Sequence, residues 1–230
     1  MRRGSSFLLA MAVVGCSGLT AVEGGVVGIE VRVPGPDSLE VGESIQLGAK
    51  PLDKNGDSLA TPVTWTSSDP TATIDPNTGV LTGVAPGSAR IQARVGSLGS
   101  SIITFAVLAP PDTLAISGDS ILTVSIAAGL PELVTTLNSF HPPSPVVNHR
   151  VVYAITSPDP LIPDPAVVFT DGETLADTAA TASDGTARSA LRVRVGLTPP
   201  DSVIVQISAQ HLRGAPVPGS GQRFILRLTP

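Results

Sequence analysis

From Val26 onward, apolar residues recur at every second position. Ile29, Val31 and Val33 fall on one side of an extended chain and Glu30 and Arg32 on the other. A period of two is the signature of a strand with one buried face. The alternation returns in Ile45, Leu47 and Ala49, in Val63 and Trp65, and in Ile103, Phe105 and Val107. It is longest where Ala89, Ile91, Ala93 and Val95 interleave with Arg90, Gln92 and Arg94. A second series runs through Leu122, Val124 and Ile126, then Val151, Tyr153 and Ile155, then Val203, Val205 and Ile207. In the same series Leu191, Val193 and Val195 alternate with Arg192 and Arg194, and Phe224, Leu226 and Leu228 sit beside Arg223 and Arg227. No stretch beyond the N-terminal segment carries a capped apolar stripe at helical spacing, so the expected class is all-β with almost no helix.

Turn chemistry separates these runs. Asn55-Gly56 between Asp53 and Asp57, Asp69-Pro70, Asn77-Thr78-Gly79 and Pro86-Gly87 supply positive φ or fix φ near −65°. Short strands at this spacing predict antiparallel sandwiches. Ala109-Pro110-Pro111 lacks the backbone donors a central strand needs, so a boundary is expected there, with one domain over 26–108 and another over 112–230.

The N-terminal segment has a different pattern. Arg2 and Arg3 precede an apolar run from Phe7 to Val14 and the small residue Gly15, the layout of a secretory signal. A membrane-spanning helix needs roughly 20 apolar residues, about twice this run. Val13-Val14-Gly15-Cys16 resembles the lipobox of bacterial lipoproteins at all four positions. The resemblance implies cleavage after residue 15 and lipidation of Cys16, with residues 16–25 as a short tether. Several acyl chains on one cysteine would hold a membrane firmly, at about 0.8 kcal/mol per buried CH₂. The implied location is the cell envelope, and Ser17 after the cysteine favours the outer membrane or cell surface over the inner membrane.

Composition narrows the field further. Cys16 is the one cysteine, so no disulfide can form within the chain. Without Arg2 and Arg3, twelve basic residues face nineteen acidic ones, a net charge of −7, which makes nucleic acid an unsuitable partner. The expected partners are the membrane, through the lipid on Cys16, and a protein or glycan at the cell envelope.

Residues 26–108 resemble a group 2 bacterial immunoglobulin-like (Big) domain. The resemblance rests on Leu39-Glu40-Val41-Gly42-Glu43, on Val63-Thr64-Trp65-Thr66-Ser67-Ser68-Asp69-Pro70, on the run from Ile74 to Gly83, and on Pro86-Gly87-Ser88-Ala89-Arg90-Ile91. Trp65, the only tryptophan, lies between Thr64 and Thr66 and is expected to anchor that core. Residues 112–230 resemble group 1, invasin-type Ig-like repeats through Phe169-Thr170-Asp171-Gly172, the segment Thr178 to Thr181, and Ser183-Asp184-Gly185-Thr186-Ala187. That resemblance implies a tight turn at Asp184-Gly185 before a long strand, with Arg192 and Arg194 facing solvent. The expected fold is therefore two tandem Ig-like β-sandwiches after a cleaved lipoprotein signal peptide.

The chemistry expected of such a chain is sparse. There is no Gly-x-Ser-x-Gly elbow, and His141, His149 and His211 share no ligand spacing with one another or with carboxylates. The segment Asp53 to Asp57 has oxygen donors at alternate positions but lacks the glutamate that completes a calcium loop, and reads as a polar hairpin turn. Asp159, Asp164, Asp171 and Asp177 sit among prolines and turn residues and suit Asx turns. No catalytic residue, metal site or cofactor is expected. The function expected is non-enzymatic, an adhesion, interaction or spacer module; the alternative is a module binding a small ligand, glycan or calcium.

Overall fold

The computed structural model describes residues 25–158 and 164–230. The expected signal sequence, Cys16, the tether up to residue 24, and Asp159 lie outside these residues. The described chain is all-β and immunoglobulin-like, with one 3-10 turn at Ile126–Ala128.

The first half contributes β1 (Gly28–Arg32), β2 (Ser38–Glu40), β3 (Ser44–Gln46), β4 (Gly48–Leu52), β5 (Thr64–Ser67), β6 (Ala72–Ile74), β7 (Val80–Gly83), β8 (Gly87–Val95), β9 (Leu98–Gly99) and β10 (Ile103–Leu108). One sheet has the order β2-β10-β8-β5, with β9 folded onto β8; facing it lie β3-β7-β6 and the pair β1-β4. The residues alternating inward on β8 and β10, Ala89, Ile91, Ala93, Phe105 and Val107, meet Leu39, Ile45, Leu47, Trp65 and Leu81 in one core.

Trp65 is 5% exposed and takes the anchoring place the sequence predicts for it. The turn beneath it explains why glycine stands at 79. Gly79 has φ +75°, and a Cβ there would lie 2.6 Å from the Trp65 indole nitrogen. Asp75 shapes the same turn, its Oδ1 accepting the backbone N–H groups of Asn77 at 2.9 Å and Thr78 at 2.7 Å.

The second half contributes β11 (Thr113–Ile116), β12 (Ile121–Ser125), β13 (Glu132–Phe140), β14 (Pro143–Pro145), β15 (Arg150–Ser157), β16 (Val167–Phe169), β17 (Ala176–Ala180), β18 (Thr186–Val193), β19 (Ser202–Ala209) and β20 (Arg223–Thr229). They form β11-β13-β18-β16, with β14 on β13, packed against β12-β20-β19-β15-β17. Between them Tyr153, Phe169, Phe224, Leu133, Leu137 and Ile207 are fully buried. The Tyr153 hydroxyl donates to the Ala187 carbonyl at 2.8 Å, so the Thr135 hydroxyl, 2.7 Å away, donates to it. Burial disfavours the phenolate and pushes the Tyr153 pKa up to about 12. The Asp184-Gly185 turn forms ahead of β18 as the resemblance implies: Gly185 has φ +77°, and Asp184 Oδ1 accepts from the N–H and hydroxyl of Thr186.

Three expectations need correction. Val195 was placed on the inward face of its strand, but β18 stops at Val193 and Val195 is 100% exposed. Gly196, at φ +84°, turns the chain away immediately after it. Arg192 faces solvent as expected while pairing with Glu173, but Arg194 is partly covered: it also reaches the Glu173 carboxylate, and its Nε is buried without a hydrogen-bond partner among the described residues. Ile126 packs against the core with Leu122 and Val124 as expected, but β12 ends before it and it opens the 3-10 turn. Among the described residues, no helix is long and apolar enough to cross a membrane.

Candidate interaction surface

Among the described residues no sheet is shared between the strands up to Leu108 and those from Thr113; the two sandwiches meet through hydrogen bonds that involve side chains and backbone, and through the short connection between them. Pro110 and Pro111 within that connection are buried. Beside them Glu40, on β2, is 8% exposed yet carries a carboxylate. Burying such a group is costly unless it is fully hydrogen-bonded. The turn after β19 supplies the partners. Glu40 Oε1 accepts the Leu212 N–H at 2.8 Å, and Glu40 Oε2 lies 2.7 Å from His211 Nδ1. A carboxylate only accepts, which assigns the proton of that contact to Nδ1.

A second pair closes the same seam. Arg213 Nε bonds Glu43 Oε1, while Glu43 Oε2 accepts the Glu40 backbone N–H at 2.8 Å. Glu43 therefore ties the turn carrying Arg213 to the strand carrying Glu40. The turn itself is closed by the His211 N–H on the Ala215 carbonyl at 2.7 Å and the Gly214 N–H on the His211 carbonyl at 2.9 Å. Sequence reasoning missed this cluster, because its members are some 170 residues apart and each reads locally as an ordinary turn or strand-end residue.

Apolar surface gathers at the same seam. Val84, Leu108, Phe140 and Val147 are large apolar side chains left exposed there, with Phe140 at 55%. A cleft of about 490 Å³ lies between Val41, Val84 and Pro86 on one side and Phe140, His141 and Pro142 on the other. At its edge Asp112 Oδ2 accepts the Phe140 N–H at 2.6 Å and lies 3.3 Å from His141 Nδ1.

The other residues singled out from the sequence are dispersed. His149 Nε2 meets the Gln210 carbonyl at 2.9 Å. Asp53 Oδ1 accepts the N–H groups of Asn55 and Asp57, both at 2.8 Å, so this carboxylate closes its own turn; the Asp57 bond is the main reason its pKa lies below the ordinary value. Asp177 Oδ2 accepts from the Ser189 hydroxyl at 2.6 Å, and Asp164 and Asp171 are exposed. Among the described residues, no group of three or more His, Cys, Asp or Glu side chains converges as a metal site would require. Phe140 is the one aromatic side chain exposed among the described residues.

The repeated turn, strand and tryptophan pattern of the first sandwich has a known counterpart. Residues 29–104 match the bacterial Ig-like domain (group 2) family. That span runs from β1 into β10 and contains Trp65, Gly79 and Glu40. No curated protein matches the chain. Solved structures that match the chain include domains 4 and 5 of the S-layer protein SbsC, at 15% identity and a TM-score of 0.33, covering 80% of this chain and 82% of that one. The adhesin InvE of Yersinia pseudotuberculosis is 14% identical at a TM-score of 0.38, with 85% of this chain and 57% of that one covered. The D0-D1 domain of intimin is 18% identical at a TM-score of 0.28, with coverages of 86% and 98%.

Proposed function

We propose that the chain is a non-enzymatic, lipid-anchored module of the bacterial cell envelope, in which two Ig-like sandwiches act as a stiff spacer that presents an adhesive surface. The observation that carries this reading is the locked seam. Paired sandwiches move relative to one another by default unless their interface is substantial; here a buried glutamate, a second ion pair and two buried prolines oppose that motion. The lipobox-like Val13-Val14-Gly15-Cys16 supports anchoring, and the group 2 Ig-like match supports an envelope setting.

The anchoring is tested by expressing the full chain and its Cys16→Ala variant, labelling both with radioactive palmitate and separating membrane from soluble fractions. The wild-type chain is expected to carry label and sediment with membranes, and the variant to be unlabelled and released. Label or sedimentation retained in Cys16→Ala would refute lipidation at this residue.

A further inference from the structure

The sandwich formed by β11 to β20 has two outer faces of different electrostatic character. On the face of β13 and β18, arginines are paired: Arg188 bonds Glu132 at 2.9 Å, and Arg192 bonds Glu173. Among the described residues, the outward face of β12-β20-β19-β15-β17 has no such pairing. Buried residues alternate along β20, β19 and β15, so the residues between them point outward. None of the outward positions on the five strands is Asp or Glu, although the chain has nineteen acidic residues; Asp177 on β17 points inward to Ser189. Three outward positions are Arg150, Arg223 and Arg227, and none of them has a carboxylate within 4.0 Å among the described residues. Asp119 and Asp201 lie just off the strands, at the sheet's rim.

The centre of this face is aliphatic. Ile225 is in register with Ile121 on one side and Ile204 on the other, so three isoleucines form a row across three adjacent strands. Ile121 is 53% exposed. Arg223 and Arg227 flank Ile225 on the same strand, about 13 Å apart at roughly 3.3 Å per residue. An apolar centre with charged groups around it is the anatomy of a protein–protein contact.

We propose that this face docks an acidic protein surface, with an aliphatic patch set between carboxylates that pair with Arg223 and Arg227. The inference rests on the adhesive half of the proposed function and names the surface and the partner's chemistry. A second copy of the same face is disfavoured, because it would set arginine against arginine. A polyanion calls for closely spaced cations and has no use for the isoleucine row. A glycan calls for an aromatic platform, and this face has none. Five strands at about 4.8 Å and some seven residues at about 3.3 Å give a face of roughly 550 Å². Stable complexes bury about 800 Å² per partner, so docking here is weak and reversible.

The test uses the purified full chain, isotope-labelled for amide chemical-shift mapping, and a strand-forming peptide TETLTETLTET, whose outward Glu-Leu-Glu spacing mirrors Arg223-Ile225-Arg227. Saturable shifts centred on Ile204, Gln206 and Ile225 are expected at millimolar peptide or below. The double variant Arg223→Glu/Arg227→Glu, and separately a peptide with lysine for glutamate, should each weaken binding at least about tenfold. Circular dichroism confirms that the variant keeps its fold. Absent shifts, shifts centred elsewhere, or undiminished binding by the double variant would overturn the proposal. So would a silent peptide alongside sedimentation with phosphatidylglycerol vesicles that the double variant loses, which would make the face a membrane contact. Because the assay is done in solution, failure here leaves lipidation of Cys16 standing.

Discussion

Trp65 and Gly79 act as one unit. The indole fills the first core, and the left-handed turn beneath it leaves no room for a side chain. Truncating a buried aromatic side chain removes its transfer free energy and leaves a cavity. Trp65→Ala is expected to destabilise the first sandwich by about 3–5 kcal/mol, read as a lowered denaturant midpoint by circular dichroism of the full chain. An unchanged midpoint would contradict the core role. Trp65 was legible in the sequence because Thr64 and Thr66 mark the opposite side of the strand. The partners of Tyr153 were not: Thr135 and Ala187 lie 18 and 34 residues away, and nothing local distinguishes them.

Among the elements, strands were the most legible feature, because burial on one face imposes a period of two on the sequence. The limits of that signal are instructive at β18. The alternation persists to Val195, but the backbone has already left the sheet, and Arg194 is drawn back toward Glu173. Apolar periodicity reports where a strand could continue, not where its partner strand ends. Turns are read more securely, since their chemistry is local. The Thr78 N–H, then that of Asn77, holds the Asp75 carboxyl below its ordinary value of 3.8. The Arg90 side chain first, and its backbone N–H next, do the same for Asp69. A depressed folded-state pKa contributes stability above the unfolded value and loses it as pH falls. The chain is therefore expected to lose stability progressively below about pH 3.8. Asp75→Asn should flatten that dependence in acid-unfolding curves while costing little near neutrality, since the asparagine oxygen still accepts both bonds; an unaltered curve would exclude Asp75 as a contributor.

At the scale of the whole molecule, the seam is the feature no reading along the chain could have found. Ala109-Pro110-Pro111 announced a joint; what stiffens that joint is Glu40 meeting His211 and Leu212, a contact created only when both sandwiches are complete. Hydrogen bonds to a charged group contribute about 1.5–3 kcal/mol each. Glu40→Ala should leave both sandwiches folded and free their relative motion, broadening the distance distribution in small-angle X-ray scattering. A distribution identical to wild type would mean that the Glu43–Arg213 pair and the prolines fix the geometry without Glu40.

The strand orders carry a mechanical consequence. In the first sandwich β2 lies parallel to β10, and in the second β12 lies parallel to β20, with Ile121 opposite Ile225 and Ser125 opposite Thr229. Each sandwich thus sets a strand from near its beginning beside its last one, running the same way. Tension drawn between the ends of such a pair slides one strand along the other and loads every rung of the ladder at once. An antiparallel pair pulled at its two open ends unzips one rung at a time. Each sandwich therefore resists being stretched along the line joining the ends of its parallel pair.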